Sequence, residues 1–416
     1  MPISLVIDLI RAGKVTVTLG RSRHEEIRRL PGSEQLRWPW LFPLGVFALT
    51  WLVILLAWWI GDVLRGHHYG WESFFEYKDA AWFLGIAHYG YPAALPQQWV
   101  WTSPTPVIGR IAFFPGFPLL IRGAALVTGG AGSTVAGVSV YAALAVMLVC
   151  GAGAALGVWA VARRLRGNAV ADRAVLLFCA FPGAMTFGMA YTEPLMVALG
   201  TAGMLALLSR RWLLAGLAGA AATLTGALML GFPVAAAVAA IREIWRPETG
   251  QRRWMALTAP VLSGTGFLGY MAYLWVRYDR PLAWFWAMRS GWGQHWDFGR
   301  QTMQIVFWLQ PVDRHAPVYN AFITGAFLVG LVGIAAMIRA RLPWAVTVFG
   351  AATWCICVAS AAAATTPRMV WTGFPIFIGL AAKLPRWAFL PVVIVFTLAL
   401  ALLVSWWPFH AADPNF

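Results

Sequence analysis

Charge is what this sequence has least of. Only 11% of its 416 residues are Asp, Glu, Lys or Arg, against about 25% in an ordinary soluble domain, and that scarcity excludes a soluble enzyme. Acids are the scarcer sign, 16 against 31 basic residues, for a net charge of +15. The excess does not indicate nucleic acid, because it is spread over short loops between apolar runs, where basic residues set membrane topology. Lysine is almost missing, with only Lys14, Lys78 and Lys383, an arginine bias in keeping with a GC-rich bacterial genome. Cysteine is equally sparse. Cys150, Cys179, Cys355 and Cys357 all fall in apolar segments, as small core residues and not as a disulfide frame or a metal site. There is no D-x-D metal motif, no P-loop and no dinucleotide fingerprint. No cleavable signal peptide is evident, since the first long apolar run begins near Trp38.

What the chain has instead is apolar length. Sixty per cent of it is hydrophobic, and runs such as Trp38–Ile60 and Trp387–Trp407 reach the roughly 20 residues that cross a bilayer. Full spans are expected at about 38–60, 134–161, 174–190, 192–209, 254–276, 318–340, 343–363, 369–383 and 387–407. The stretch 213–241 has arginines at both flanks, Arg210–Arg211 and Arg242 to Arg253. The positive-inside rule wants both flanks in the cytoplasm, so we split it into two short helices hinged near Thr225–Pro233. The expected fold is an all-α polytopic bundle of about nine to eleven transmembrane helices. Residues 1–37 read as a basic amphipathic segment on the cytoplasmic surface, residues 38–407 as the membrane domain, and 408–416 as an external tail.

Under that topology the two largest loops, about 61–133 and 277–317, both fall outside. The outer side then collects the polar chemistry: Asp62, Glu72, Glu76, Asp79, Glu193, Asp279, Asp297 and Asp313, with His67, His68, His88, His295 and His315. Few ionisable groups are left at mid-membrane, where ion-coupled transporters keep them. Within the first loop, residues 77–91 predict a short amphipathic helix ending at a glycine, with Trp82, Phe83 and Ile86 on its interfacial face. Residues 112–122, broken by Pro115 and Pro118, are placed along the outer membrane surface, because a full span there would carry Arg163–Arg166 outside.

Several stretches resemble one family in order. Asp79, Trp82-Phe83-Leu84, Ile86-Ala87 and Gly90-Tyr91 fit D-x-x-W-[FY]-L-x-I-A-x-x-G-Y, and Phe113-Phe114-Pro115 with Pro118-Leu119-Leu120-Ile121-Arg122 fits F-F-P-x-[FY]-P-L-L-I-R. Next in order come Phe181-Pro182 with Tyr191-Thr192-Glu193, then Gly216–Thr225, Pro281–Phe285 with Gly291-Trp292-Gly293, and Pro367-Arg368 with Phe374–Ile378. Together, from about residue 40 to 383, they resemble the PIG-V family of mannosyltransferases, within the GT-C class. The sequence departs from that family at Lys78, where Trp is usual, and at Gly226 and Gln294, where Arg is usual.

The resemblance implies a bacterial plasma-membrane enzyme taking mannose from a polyprenyl-phosphate-mannose donor on the outer face, without metal or other cofactor. The acceptor would be a lipid-linked or cell-envelope glycan, the other partners membrane lipids, with no nucleic acid. An inverting displacement needs one base, a cationic phosphate clamp and a dry groove. Asp79 stands where the class keeps its catalytic aspartate, with Trp82 as a shield and Lys78 favouring its ionised form. The plainer reading is a solvated carboxylate paired with Lys78. Glu193 is either an acceptor ligand or a helix-start carboxylate stabilised by the dipole, worth about 0.3–1 kcal/mol. Arg368 suits a phosphate or simply snorkels, and Arg122 either joins it or anchors lipid headgroups. His88, His295, Trp82 and Trp292 are sugar-binding candidates, although Trp also crowds membrane interfaces for amphipathic reasons alone. A GT-C transferase of another sugar (arabinose or glucose), a polyprenyl-phosphate or glycolipid transporter, and an inactive scaffold are the alternatives.

Overall fold

The computed structural model describes residues 39–66, 70–95, 107–127, 134–135, 138–245, 253–307, 317–361 and 366–410. The chain divides into two compact units, Met1–Leu41 and Phe42–Phe416. The basic segment expected at 1–37 and most of the expected C-terminal tail lie outside the described residues. The second unit holds the membrane domain.

Among the described residues, regular structure is helical apart from a two-residue antiparallel ladder, Thr134–Val135 against Val138–Ser139, and a single bridge between Trp296 and Ser360. Among the described residues five helices are long and apolar enough to cross a membrane, within α1 (Leu41–Leu64), α5 (Val140–Arg166), α9 (Gly231–Trp245, preceded by the 3-10 turn Ala227–Leu230), α13 (Pro317–Arg339) and α17 (Arg386–His410). A sixth is added if α6 (Asn168–Ala180) and the 3-10 helix Pro182–Gly188 form one span bent by 75°. The chain is thus an all-α, multi-pass membrane protein. Every other expected span is also present as helix, but shorter: α7 (Glu193–Leu208), α8 (Trp212–Thr223), α14 (Trp344–Val358), and α15 (Pro367–Thr372) with α16 (Pro375–Lys383). The 21-residue α10 (Thr258–Tyr278) has the length of a span without being one of the five. The expected nine to eleven crossings therefore become five or six full-length ones plus these shorter helices.

Local sequence explains the elements. Along α1 the buried positions Val46, Phe47, Thr50, Ile54, Ala57, Trp58 and Gly61 recur every three or four residues, one stripe of a helix turned inward. The stretch 213–241 breaks as expected, at Leu224–Gly226. The break is occupied: the Gly116 N–H donates to the Leu224 carbonyl at 3.0 Å. A Cβ on Gly116 would lie 2.8 Å from Thr225 Cγ2 and 2.9 Å from that carbonyl oxygen, so only glycine lets the two backbones meet.

The segment expected to lie outside departs from expectation in how deeply it is buried. After α2 (Trp71–Phe75), helix α3 (Asp79–Tyr89) ends at Gly90 as anticipated, with φ +68° and its N–H bonded to the Ile86 carbonyl. Phe83 and Ile86 face the core instead of the interface, buried with Ala80, Leu84 and Ala87. The Phe83 ring is edge-on to Phe113 and Phe117, with centroids at 5.0 and 5.5 Å. Helix α4 (Gly116–Val127) is half sunk as well, burying Phe117 and Ile121 while Leu119, Leu120 and Arg122 stay exposed. Aromatic packing has drawn both pieces inward, and with them Asp79.

Candidate active site

Three segments distant in sequence meet at Arg368. The first is the turn Glu76–Lys78 between α2 and α3, pinned where the Ala190 N–H donates to the Phe75 carbonyl at 2.9 Å. Lys78 carries φ 51° and ψ −108°, a conformation that costs a non-glycine residue about 1–3 kcal/mol. It turns the chain sharply enough to make Asp79 the first residue of α3. Tyr191, fully buried, bridges this turn. Its hydroxyl accepts the Asp79 N–H at 3.3 Å and donates to the Tyr77 carbonyl at 3.3 Å. The second segment continues from Tyr191 to Glu193, the first residue of α7, where the helix dipole favours a carboxylate. The third is Thr366–Arg368, with Pro367 opening α15. That helix is fixed by Trp371, which stacks on Phe178 at 4.2 Å and donates its indole N–H to the Phe178 carbonyl at 2.8 Å.

The Arg368 guanidinium uses both terminal nitrogens. Nη2 lies 2.6 Å from Asp79 Oδ2, Nη1 lies 3.0 Å from Glu193 Oε1, and the Tyr191 ring sits under it with Cζ 5.0 Å from the centroid. Charge-assisted bonds in a weakly solvated site are strong ones. The Asp79 and Arg368 side chains remain 18% and 23% exposed, whereas Glu193 is 5% exposed, so the guanidinium and one carboxylate face outward and the other closes the floor. Burial alone would lower the basicity of Arg368, but Asp79 and Glu193 reverse this and hold it above its ordinary value. Lys78 has a lowered pKa, from burial first, with Arg368 adding to it and Asp79 opposing. Glu76, three residues before Asp79, is pushed up to about 7 by burial and by the neighbouring Glu72 charge.

Two polar atoms beside this cluster, Glu193 Oε2 and Thr366 Oγ1, are buried without a hydrogen-bond partner among the described residues. A buried acceptor left unmatched costs about 1–3 kcal/mol, and such atoms mark where a further polar group fits. A small cleft lined by Met185, Tyr319, Thr366, Arg368 and Leu403 opens at the same place.

The structure therefore brings Asp79, Glu193 and Arg368 together. It pairs Asp79 with Arg368, in addition to the neighbouring Lys78 charge to which the sequence had pointed. Trp82 lies one turn along α3, stacked on Phe113 at 6.0 Å. Arg122 is exposed on α4 and makes no contact with the cluster among the described residues. His88 is exposed with its ring against Tyr89 at 4.3 Å. His295 is exposed too, its Nδ1 2.7 Å from the Gly293 carbonyl oxygen, and the Trp292 side chain lies outside the described residues. Nearby Asp297 caps α12 (Arg300–Val306), accepting the Gly299 and Gln301 N–H groups at 2.9 and 2.8 Å. The described residues contain no group of three or more His, Cys, Asp or Glu arranged to hold a metal. Sequence reasoning missed Tyr191 and Thr366. Tyr191 stood in the Tyr191-Thr192-Glu193 motif and could have been named from it, whereas nothing distinguished Thr366.

No known protein family matches the chain, and no curated protein does, so the PIG-V likeness rests on the motifs themselves. Among solved structures, the chain is similar to ArnT from Cupriavidus metallidurans bound to undecaprenyl phosphate, at 15% identity and a TM-score of 0.48 over 84% of this chain and 62% of that one. It is also similar to the apo oligosaccharyltransferase of Archaeoglobus fulgidus, at 13% identity and a TM-score of 0.45 over 92% of this chain and 56% of that one. The chain thus spans less than two thirds of either structure.

Proposed function

We propose that this protein is a membrane glycosyltransferase of the GT-C class, resembling the PIG-V family. In this reading it moves mannose from polyprenyl-phosphate-mannose to a lipid-linked or cell-envelope glycan acceptor at the outer face of a bacterial plasma membrane. The observation that carries it is the meeting of Asp79, Glu193 and Arg368, from three separate motifs, beside a cleft with unmatched buried acceptors. A wide separation of the three would have contradicted an enzyme.

The chemistry is set by the charges. Two carboxylates and one guanidinium give the cluster a net charge of −1, and Lys78 beside Asp79 brings it near neutrality. Asp79, the more exposed acid, is the general base. It takes the proton of the acceptor hydroxyl as that oxygen bonds to the sugar C1 on the face opposite the phosphate. The C1–O bond to phosphate breaks, its electron pair leaves on the phosphate oxygen, and the anomeric carbon inverts. Arg368 balances the charge that grows on the leaving phosphate, exchanging part of its contact with Asp79 for phosphate oxygens while Glu193 retains the other nitrogen. Glu193 Oε2 and Thr366 Oγ1 receive hydroxyl groups of the sugar or acceptor.

The test is transfer of labelled mannose from polyprenyl-phosphate-mannose to a membrane lipid extract, comparing purified wild type with Asp79→Asn. A positioned base contributes about 10²–10⁴-fold, so the variant should lose transfer by that factor while staying folded. Equal activity of the two would remove Asp79 from the chemistry and leave Glu76 or Glu193 in its place. No transfer by wild type from this donor would overturn the mannose assignment.

A further inference from the structure

A second cavity lies at the far end of α7. From Glu193 the helix runs to Leu208, roughly 22 Å at 1.5 Å per residue, and ends in a tight turn where Arg210 takes φ +57°. There the ends of α7, α8, α9 and α14 form an open pocket lined by Leu208, Trp212, Ala239 and Trp344 together with Arg210 and Arg242. This cavity is more spacious than the cleft at Arg368, and it touches none of the residues assigned to transfer.

Its charge is unbalanced. Among the described residues Glu243 is the one acid lining it, and it already holds Arg210, Nε to Oε2 at 3.4 Å. That pairing aims Arg210 and leaves Arg242 without an acidic partner among the described residues. Arg164 approaches from α5, donating to the Leu208 carbonyl at 3.0 Å, and Arg211 is next in sequence to Arg210, so the surroundings stay positive. The first residues of α8 and α14, Trp212 and Trp344, form part of the wall, and neither helix start is capped by a side chain. Their free N–H groups add to the positive potential the arginines set up. Guanidinium groups bind phosphate bidentately, and basic pockets between membrane helices suit lipid headgroups. Tryptophans and an apolar wall beside the cations fit a ligand with both a phosphate and a hydrocarbon part.

We propose that this cavity binds a phosphate group, that of an anionic membrane lipid or of free phosphate, as a site separate from the one that performs transfer. The experiment is native mass spectrometry of the full-length purified protein titrated with phosphatidylglycerol, phosphatidylcholine or inorganic phosphate. Phosphatidylglycerol should bind at one tight site, at least tenfold more strongly than phosphatidylcholine. Arg242→Gln, which removes the uncompensated charge, and Ala239→Phe, which fills the cavity, should each weaken that binding about tenfold. Arg386→Gln, an exposed arginine elsewhere, should not. Failure of millimolar phosphate to displace the lipid would identify the lipid as the source; displacement, with direct phosphate binding lost in Arg242→Gln, would identify free phosphate. The proposal is overturned if phosphatidylcholine binds equally well, or if Arg386→Gln weakens binding as much as Arg242→Gln. Should Ala239→Phe fail to fold, the pair Arg242→Gln and Arg386→Gln still decides, because both side chains are exposed.

Discussion

Helix α7 has an arginine–glutamate pair at each end, and the two pairs are built differently. At its start, Arg368 bridges Glu193 and Asp79 over the face of Tyr191, with Glu193 5% exposed. At its finish, Arg210 meets Glu243 once, at 3.4 Å, with the two side chains 32% and 11% exposed. The first arginine is enclosed by more negative charge than it carries, and the second by less. A cation between two acids is fixed in place and can trade one partner for an incoming anion. A cation in positive surroundings attracts an anion outright. On the readings proposed above, the same pair of side chains would serve a reacting site in one setting and an anchoring site in the other, according to what surrounds it.

The comparison breaks most sharply at Arg368. Replacing it with Met leaves two carboxylates facing each other with little water, and stranding a buried partner costs about 3–5 kcal/mol. Wild type and variant should differ by that much in denaturant unfolding, and the variant should transfer nothing. A loss under about 1 kcal/mol would mean the cluster is solvated like a surface pair. Glu76 sharpens the contrast from the other side, since its buried Oε1 has no hydrogen-bond partner among the described residues and no arginine is paired with it there. Its pKa is raised, so the folded state binds more protons than the unfolded one between the ordinary value of 4.5 and about 7. Its contribution to stability is complete below 4.5 and is lost as pH rises through about 7. Glu76→Gln should flatten the fall in melting temperature over that window, and an unchanged slope would refute the assignment.

Smaller effects are expected at two further positions. Tyr191→Phe removes the hydroxyl shared by the Asp79 N–H and the Tyr77 carbonyl, a loss of about 1 kcal/mol in stability. Its effect on kcat should exceed its effect on KM, because Asp79 loses its aim and the cleft is untouched. Arg210→Gln ends the series. Partly exposed pairs are worth about 0–1 kcal/mol, so its melting temperature should stay close to that of wild type. A drop matching Arg368→Met would erase the distinction between the two ends.

The parts of this fold that a sequence displays well are those governed by one local rule. Long apolar runs gave the spans, flanking arginines located the break near Leu224, and the motifs led to Asp79, Glu193 and Arg368. What escaped depends on distant partners. Nothing local says that Phe83 will pack between Phe113 and Phe117, so the apolar face of the helix after Asp79 reads as the membrane-interface side when it packs into the core. Lys78 is adjacent in sequence and its charge interacts with Asp79, but nothing local shows that the strained turn at Lys78 also delivers the carboxylate to Arg368. Arg122 belongs to a convincing motif but lies on the exposed side of its helix, a matter of rotation that the motif alone cannot convey.

Helices α8 and α10 touch backbone to backbone. A Cβ on Gly266 would collide with the Ala220 carbonyl oxygen, and one on Gly216 would lie 2.8 Å from Leu262 Cβ. Thr223 also donates its hydroxyl to the Ser263 carbonyl at 2.7 Å. With 12 residues, α8 spans about 18 Å, well short of a hydrocarbon core of about 30 Å. It therefore does not cross a membrane by itself, and it holds its place through its packing on both α7 and α10. Its position is a property of that three-helix group and not of its own length.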